Sequence, residues 1–541
     1  MFAFSKAYSQ FSKFFSAFLA LIVFVGQSIG ITVPIRGFSK NPLSVPSYSF
    51  YDSTEKVART GGIERKSSYT MYLAKNEREA CQIAFRVRVR RNNVSIKLSD
   101  FENENGDKLR SVLFEEYYVK TSGDTVNGLY PDALIPVGED YVLDCMNETN
   151  YVYYISVRSD EDTPAGDYKG TVSFIWNDRP DNKYENLKIE VKAHVWDFTL
   201  PETPSMDTAM GLDKNCIASL HRVANNSAQA DELYKTYYEF LLDHGISPYN
   251  LPVDILSSEA DKYMSDPRCT SFCIPYGSDD YIRSVYNKLS AHPDWAAKAY
   301  FYPIDEPNDE EAYSRYYSIT ERLTRLYPGY HMVTPYCTSE LEIGGEKRSA
   351  TSLQKGYSDI MCPISHYFSG KAFVDECHKR QAEGDKLWWY VCCGPGPTTD
   401  YCNLFVQQEG IKHRLLFWQQ KSLNITGLLY WSTNYWYDVK DPWNSAWTTP
   451  WTGVDTYGDG SLLYPGYNVN VNGPVSSLRL EAVANGIEDY DYLTMAQELL
   501  GEKYVDKTIS KVSSTLERYT FSDSRFASVR KGLGEAIEKA S

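Results

Sequence analysis

From about residue 45 to 200, apolar and polar positions alternate along the chain. Cys81, Ile83, Phe85, Val87 and Val89 take every second place between Gln82, Ala84, Arg86 and Arg88, and Leu187, Ile189, Val191, Ala193 and Val195 repeat the pattern. A period of two sends successive side chains to opposite faces of a strand, so these segments predict half-buried strands. Turn signals separate them, as in Asn103-Glu104-Asn105-Gly106 and in Thr163-Pro164-Ala165-Gly166-Asp167, which leads into a strand over Lys169 to Ile175. The prediction is an N-terminal antiparallel β-sandwich, residues 31–204, ending at the linker Leu200-Pro201-Glu202-Thr203-Pro204.

After Pro204 short apolar runs alternate with stretches of helical period. Strands are expected to start near Met206, Ile246, Cys269, Lys298, His331, Asp359, Leu387 and Gly427. Between them Ile282, Val285, Tyr286 and Leu289 share one helical face, as do Ala312, Tyr316, Ile319, Leu323 and Leu326, and then Ile411, Leu415 and Trp418. Strand and helix repeating at roughly thirty-residue spacing predict a (β/α)8 TIM-type barrel over residues 205–541, closed by a helix over Ser477 to Leu500. The fold class is therefore multidomain, β followed by α/β.

Within that register Ala299 to Pro307, AYFYPIDEP, is an apolar strand that stops at two adjacent carboxyls, Asp305 and Glu306, with Pro307 blocking further pairing. Read alone, an acidic pair before a proline is also a common helix start, and Asp309, Glu310 and Glu311 suit a helix N-terminus. The other strands end in polar or aromatic residues too: Asp213 after the first, Tyr336 after the fifth, His366 and Tyr367 after the sixth, Trp389 and Tyr390 on the seventh, and Trp431, Asn434 and Trp436 on the eighth. The C-terminal ends of barrel strands share one rim, so these groups are expected to converge on one site as acid/base pair and substrate-binding residues. A long loop follows the eighth strand, Tyr437 to Val475, with Trp443, Trp447 and Trp451, and reads equally as a lid or as an excursion packing its own aromatics.

Charge and composition narrow the ligand. Fifty-five basic against seventy-one acidic residues give a net charge of −16, which argues against nucleic acid or an anionic membrane as partner. Eleven tryptophans and forty-four tyrosines suit stacking on sugar faces, although a large core also uses such rings. Lys6 and Lys13, the apolar run Phe14 to Val25 and the small residues at Ser28-Ile29-Gly30 predict a signal peptide over residues 1–30, hence a secreted, periplasmic or cell-surface protein, with an uncleaved anchor as the alternative. Eleven cysteines cannot all pair within one chain; their spacing carries no metal signature, and most read as small buried hydrophobes. Cys392 and Cys393, adjacent on a strand, are expected to face opposite ways.

The strings AYFYPIDEP, LWWYVCCGPGP (Leu387 to Pro397), RLLFWQQKSLNITGLLYWSTNYW (Arg414 to Trp436) and LRLEAVANGIEDYDYL (Leu478 to Leu493) resemble the domain-of-unknown-function family 4091, which is associated with glycoside hydrolase family 123, the β-N-acetylgalactosaminidases. The resemblance runs from about residue 205 to 500. It implies a sandwich followed by a barrel, no cofactor, and retaining hydrolysis in which the sugar's own 2-acetamido oxygen attacks the anomeric carbon. Carried onto this sequence, Glu306 is the general acid and then base, and Asp305 orients the acetamide N–H and stabilises its developing charge. The substrate would be a glycan or glycolipid bearing N-acetylhexosamine. Glu488 and Asp489, in the last helix, read as helix-surface or capping contacts.

Two other readings stand beside this one. A conventional glycosidase for another sugar would set Asp213 or Asp438 opposite Glu306. An inactive secreted glycan-binding protein would keep only the aromatic site.

Overall fold

The computed structural model describes residues 46–541 apart from 123–126, 177–184, 438, 440, 447 and 451. The expected signal peptide, Trp447, Trp451 and Asp438 therefore lie outside the described residues. Ser47–Ser541 form one compact unit.

The protein is mostly β with α, and its largest element is a thirteen-stranded sheet. One array runs Ser47–Asp52, Arg78–Arg86, Asn150–Arg158, Lys108–Ser122 and Asn127–Pro136, each antiparallel to the next. A second runs through Gly166–Trp176 and Glu185–Thr199 to Thr70–Lys75, which pairs in parallel at the edge. The short strand Phe101–Glu102 bonds to both arrays, so where the sequence reading has two separate sheets the strands form one curled sheet. Its two arrays share a core of Phe50, Ile83, Phe85, Tyr153, Ile155, Phe174, Val191 and Val195, with the Phe85 and Phe174 rings 4.9 Å apart.

Alternation holds over Gly166–Trp176 but fails over Arg78–Arg86, whose middle seven residues are all buried. Gln82 loses its expected solvent face because the segment at 52–55 covers it: its side-chain amide donates to the carbonyls of Asp52, Ser53 and Glu55. On the same strand Ala80 packs with Leu134, Tyr154 and Leu478, the first residue of the helix Leu478–Leu500. The strand is thus buried on both faces, a pattern that local alternation does not announce.

Past Pro204 the strands are parallel. Five form a sheet in the order Asp207–Met210, Gly427–Tyr430, Lys386–Val391, Ile360–Pro363 and Val333–Tyr336, and Phe272–Ile274 pairs with Ala299–Phe301. A bridge joins Phe301 to Met332, another joins Met210 to Pro248, and the Cys273 amide donates to the Tyr249 carbonyl at 2.6 Å. The pairings visit all eight expected strand positions and return to the first, although the second, near Ile246, is reduced to a bridge. The helix expected to close this region is Leu478–Leu500, capped by the Ser477 hydroxyl, and two more helices follow it, Glu502–Ile509 and Asp523–Ala540.

Side chains of these strands divide between two cores. Ala209, Tyr300, Val333, Ile360, Cys362, Trp388, Tyr390 and Leu429 form an inner cluster, with Tyr249, Cys273, Tyr302 and Cys337 against it. Their sequence neighbours, such as Phe301, Tyr336, Met361, Leu387, Trp389 and Leu428, pack outward with the helices. The long loop after Tyr430 joins the large sheet instead of standing free: Pro474–Ser477 pairs with Asn127–Pro136, and the buried Trp443 indole donates to the Pro465 carbonyl at 3.1 Å.

Candidate active site

The strand Ala299–Phe301 points Tyr300 inward, and two residues on Tyr302 keeps the same face. The chain then leaves the sheet through Pro303 and Ile304, so Asp305 and Glu306 lie just beyond the strand. The helix Glu310–Leu326 starts later, capped by Asp309, whose carboxyl accepts the Ala312 amide at 2.8 Å, with Glu310 and Glu311 in its first turn. The acidic pair is therefore not that helix's own start.

Two neighbours on an extended chain face opposite ways, and here the backbone breaks that rule. Glu306 has φ +41°, a left-handed conformation that a non-glycine residue adopts at a cost of about 1–3 kcal/mol. Both carboxyls consequently meet the inner cluster. The Tyr302 hydroxyl donates to Asp305 Oδ1 at 2.7 Å, and the Tyr390 hydroxyl donates to Glu306 Oε1. Cys362, on the neighbouring inner face, is buried, and both acidic charges add to that burial in raising its thiol pKa.

Electrostatics mark the pair as costly. Partial desolvation and the Glu306 charge raise the Asp305 carboxyl above its ordinary range, against the lowering effect of the Tyr302 hydrogen bond. Burial, with the Glu306 charge behind it, pushes the Tyr390 phenol far above the usual tyrosine range and the Cys337 thiol up to about 11. Among the described residues neither acid forms an ion pair. Asp305 is exposed and Glu306 half-buried, so both carboxyls are open to a bound molecule.

The residues expected at the rim fall into two groups. Tyr390 reaches Glu306, and Tyr367 lies nearby, donating to the Cys337 carbonyl with its ring 4.6 Å from that of His366 and tilted 60° to it. Trp431 is half-buried and its indole donates to Asp459 Oδ1 at 3.0 Å; a side chain on Gly460, which has φ +69°, would strike that ring. His366 is kept toward its neutral form by burial.

The remaining five positions expected at the site make structural contacts. Tyr336 is fully buried on the outward face with its hydroxyl 2.8 Å from Thr351 Oγ1, and Trp389 points the same way, donating to Gln420 at 2.9 Å. Both have the wrong parity for the inner face. Trp436 packs toward Tyr237, 6.2 Å between rings. Asn434 is buried and clamps the Asp213 backbone, accepting its N–H and donating to its C=O, each at 2.9 Å. Asp213 itself caps the helix Lys214–Leu220: its Oδ1 accepts the Cys216 amide at 2.7 Å and the Tyr437 hydroxyl at 3.0 Å.

Sequence reasoning missed Tyr249, Tyr302, Cys337 and Asp459. The first two stack edge to face at 5.7 Å beside Asp305. Tyr302 was available from parity, two residues after the inward Tyr300. Asp459, raised to about 6 by burial, comes from the long loop and has no strand period to betray it. Among the described residues no three His, Cys, Asp or Glu side chains converge to hold a metal ion, and no helix is long and apolar enough to cross a membrane.

Two neighbouring carboxyls, each on a phenol and without an ion pair among the described residues, can exchange protons with a bound molecule. Residues 277–496, which include both acids, match the family model of the glycoside hydrolase 123 catalytic domain. That match agrees with the resemblance carried by the sequence motifs. The fold is similar to that of a family 123 glycoside hydrolase from Clostridium perfringens studied for glycolipid glycan hydrolysis, with a TM-score of 0.64 at 14% identity over 92% of this chain and 98% of that one. A β-glucuronidase from Parabacteroides merdae aligns over 82% of this chain and 52% of its own at 11% identity, and its TM-score of 0.28 is too low to carry an argument. No curated protein sequence matches the chain.

Proposed function

We propose that this protein is an exported retaining glycosidase that removes β-linked N-acetylgalactosamine from glycans or glycolipids, using the substrate's 2-acetamido group as nucleophile. The observation that carries the reading is the left-handed turn at Glu306, which lets adjacent acids serve one ligand. In this reading the closed circuit of parallel strands is a (β/α)8 barrel, and the curled sheet acts as a sandwich that braces it.

Each carboxyl then has one task. Asp305 accepts the acetamide N–H, which turns the acetamide oxygen toward the anomeric carbon and stabilises the positive charge as the oxazoline ring forms. Glu306 gives its proton to the leaving oxygen and later takes one from water. Tyr302 favours the ionised Asp305, the state this role requires, and Tyr390 fixes the Glu306 rotamer. The glycolipid aglycone is suggested by the work on the Clostridium perfringens enzyme, and export by the N-terminal sequence.

The test is p-nitrophenol release from the β-N-acetylgalactosaminide, the β-N-acetylglucosaminide and the plain β-galactoside. Turnover confined to the first is expected. Preference for the glucosaminide would overturn the sugar, and silence on all three would favour binding without hydrolysis.

A further inference from the structure

Seven of the eleven cysteines are buried. The four that reach partial exposure are Cys273, Cys337, Cys392 and Cys393. The first three lie against the inner cluster that carries Tyr390, and the Glu306 charge acts on the thiols of Cys337 and Cys393. Accessible sulfur is thus gathered at the candidate active site.

Cys392 and Cys393 do not face opposite ways. Their Sγ atoms stand 3.9 Å apart, because the strand Lys386–Val391 has ended and the chain turns on itself. The Cys392 amide donates to the Gly394 carbonyl at 2.9 Å, and the Gly394 amide returns to Cys392 Sγ at 3.4 Å. Asn403, fully buried, holds the turn by donating to the carbonyls of Cys392 and Pro395 at 2.9 and 2.8 Å. Two residues before Cys392, on the same face, is Tyr390 with its hydroxyl on Glu306.

We propose that Cys392 and Cys393 form a redox-responsive dithiol that closes into a vicinal disulfide and, by moving the end of its strand, displaces Tyr390 from Glu306. The oxidant is a small-molecule disulfide. One protein sulfur attacks it as thiolate and releases one small thiol; the second protein sulfur attacks the mixed disulfide and releases the other. Two protein thiols are oxidised and one external disulfide is reduced to two thiols.

Two physical points support the step. The two sulfurs stand within reach of an S–H···S contact, so whichever thiol ionises first is stabilised by the S–H of its neighbour and becomes the attacking group. Consecutive Cα atoms stand about 3.8 Å apart across a trans peptide, shorter than the roughly 4.4–6.8 Å usual for disulfides. The eight-membered ring is therefore strained, and strained disulfides are the readily reduced, regulatory kind. Ring closure also has to pull the sulfurs together from 3.9 Å, so the backbone beside Tyr390 must shift.

The experiment takes the full chain through oxidised glutathione and then dithiothreitol, alkylating, digesting and weighing the peptide that holds both residues at each stage. The expected peptide resists alkylation after oxidation, weighs two hydrogens less, and reverts on reduction. The near-ultraviolet circular dichroism of the tyrosines changes in step. Turnover of the β-N-acetylgalactosaminide falls by about tenfold to a hundredfold with the oxidised fraction, as for a catalytic group misplaced by about an ångström. In Cys393→Ser, oxidised and reduced samples behave alike. Two free thiols after oxidation, a stable mixed disulfide without ring closure, or a closed ring that leaves the tyrosine signal unchanged would overturn the proposal. The activity arm rests on the proposed function; if the reduced protein hydrolyses none of the glycosides that reading fails, while peptide mass and tyrosine signal still decide on the dithiol.

Discussion

Asp305-Glu306 and Glu488-Asp489 are both adjacent acids flanked by tyrosines and apolar residues, yet the fold treats them in opposite ways. Around the first pair stand hydroxyls, from Tyr302 and Tyr390. Around the second stand guanidinium groups: Asp489, fully buried, accepts from Arg414 at 2.7 and 2.9 Å, from Arg530 at 2.6 Å and from the Trp418 indole at 2.9 Å. Burial alone would raise Asp489, but Arg414 and Arg530 outweigh it and hold the carboxyl below its ordinary range. Glu488 accepts the Arg78 amide at 3.0 Å, and Arg414 and Arg530 also grip Glu79. Neither acid is the helix-surface or capping contact that its sequence position suggests. They anchor the large sheet to the last helices.

The contrast teaches what separates a working carboxyl from a brace. A buried acid with fixed cations has its charge state settled by them and has no proton to trade. An acid that meets only phenols, in a half-open site and on a strained backbone, keeps that freedom.

The comparison breaks most sharply under substitution. Glu306→Gln is expected to slow hydrolysis by about 10²–10⁴-fold with the unfolding midpoint unmoved, azide restoring part of the rate; undiminished turnover would take Glu306 out of the chemistry. Asp489→Ala should do the reverse. Stranding two buried guanidinium groups costs about 3–5 kcal/mol, read as a lower urea midpoint, while turnover per folded molecule persists. A stability within about 0.5 kcal/mol of the parent would remove the network's bracing role.

A smaller effect sharpens the first pair. The Tyr302 hydroxyl favours ionised Asp305, against the burial and the Glu306 charge that raise it. Tyr302→Phe therefore raises Asp305 further, and because the ionised form is the one required, the acidic limb of the kcat/KM profile should move to higher pH. A limb that stays in place would mean that Asp305 ionisation does not govern the rate.

Much of this was legible in the chain. The strand period, the helix Leu478–Leu500 with its Ser477 cap and the position of the acidic pair follow from local pattern. What local pattern cannot carry is which side of a strand meets the site. Tyr336 and Trp389 belong to the outward register and Tyr302 and Tyr390 to the inward one, a distinction set by the pairing of strands far apart in sequence. Nor does the sequence announce that Arg414 and Arg530 will converge on Asp489, or that a turn after Val391 brings two neighbouring sulfurs together.

The account turns on Asp305 serving the substrate's acetamide, and one measurement addresses it directly: p-nitrophenol release from the β-N-acetylgalactosaminide and the plain β-galactoside by the parent protein and by Asp305→Asn, with the unfolding midpoint of each. The account predicts turnover of the N-acetyl substrate alone, severely weakened in a variant that unfolds where the parent does. Equal rates in parent and variant, or brisk hydrolysis of the plain galactoside, would contradict it.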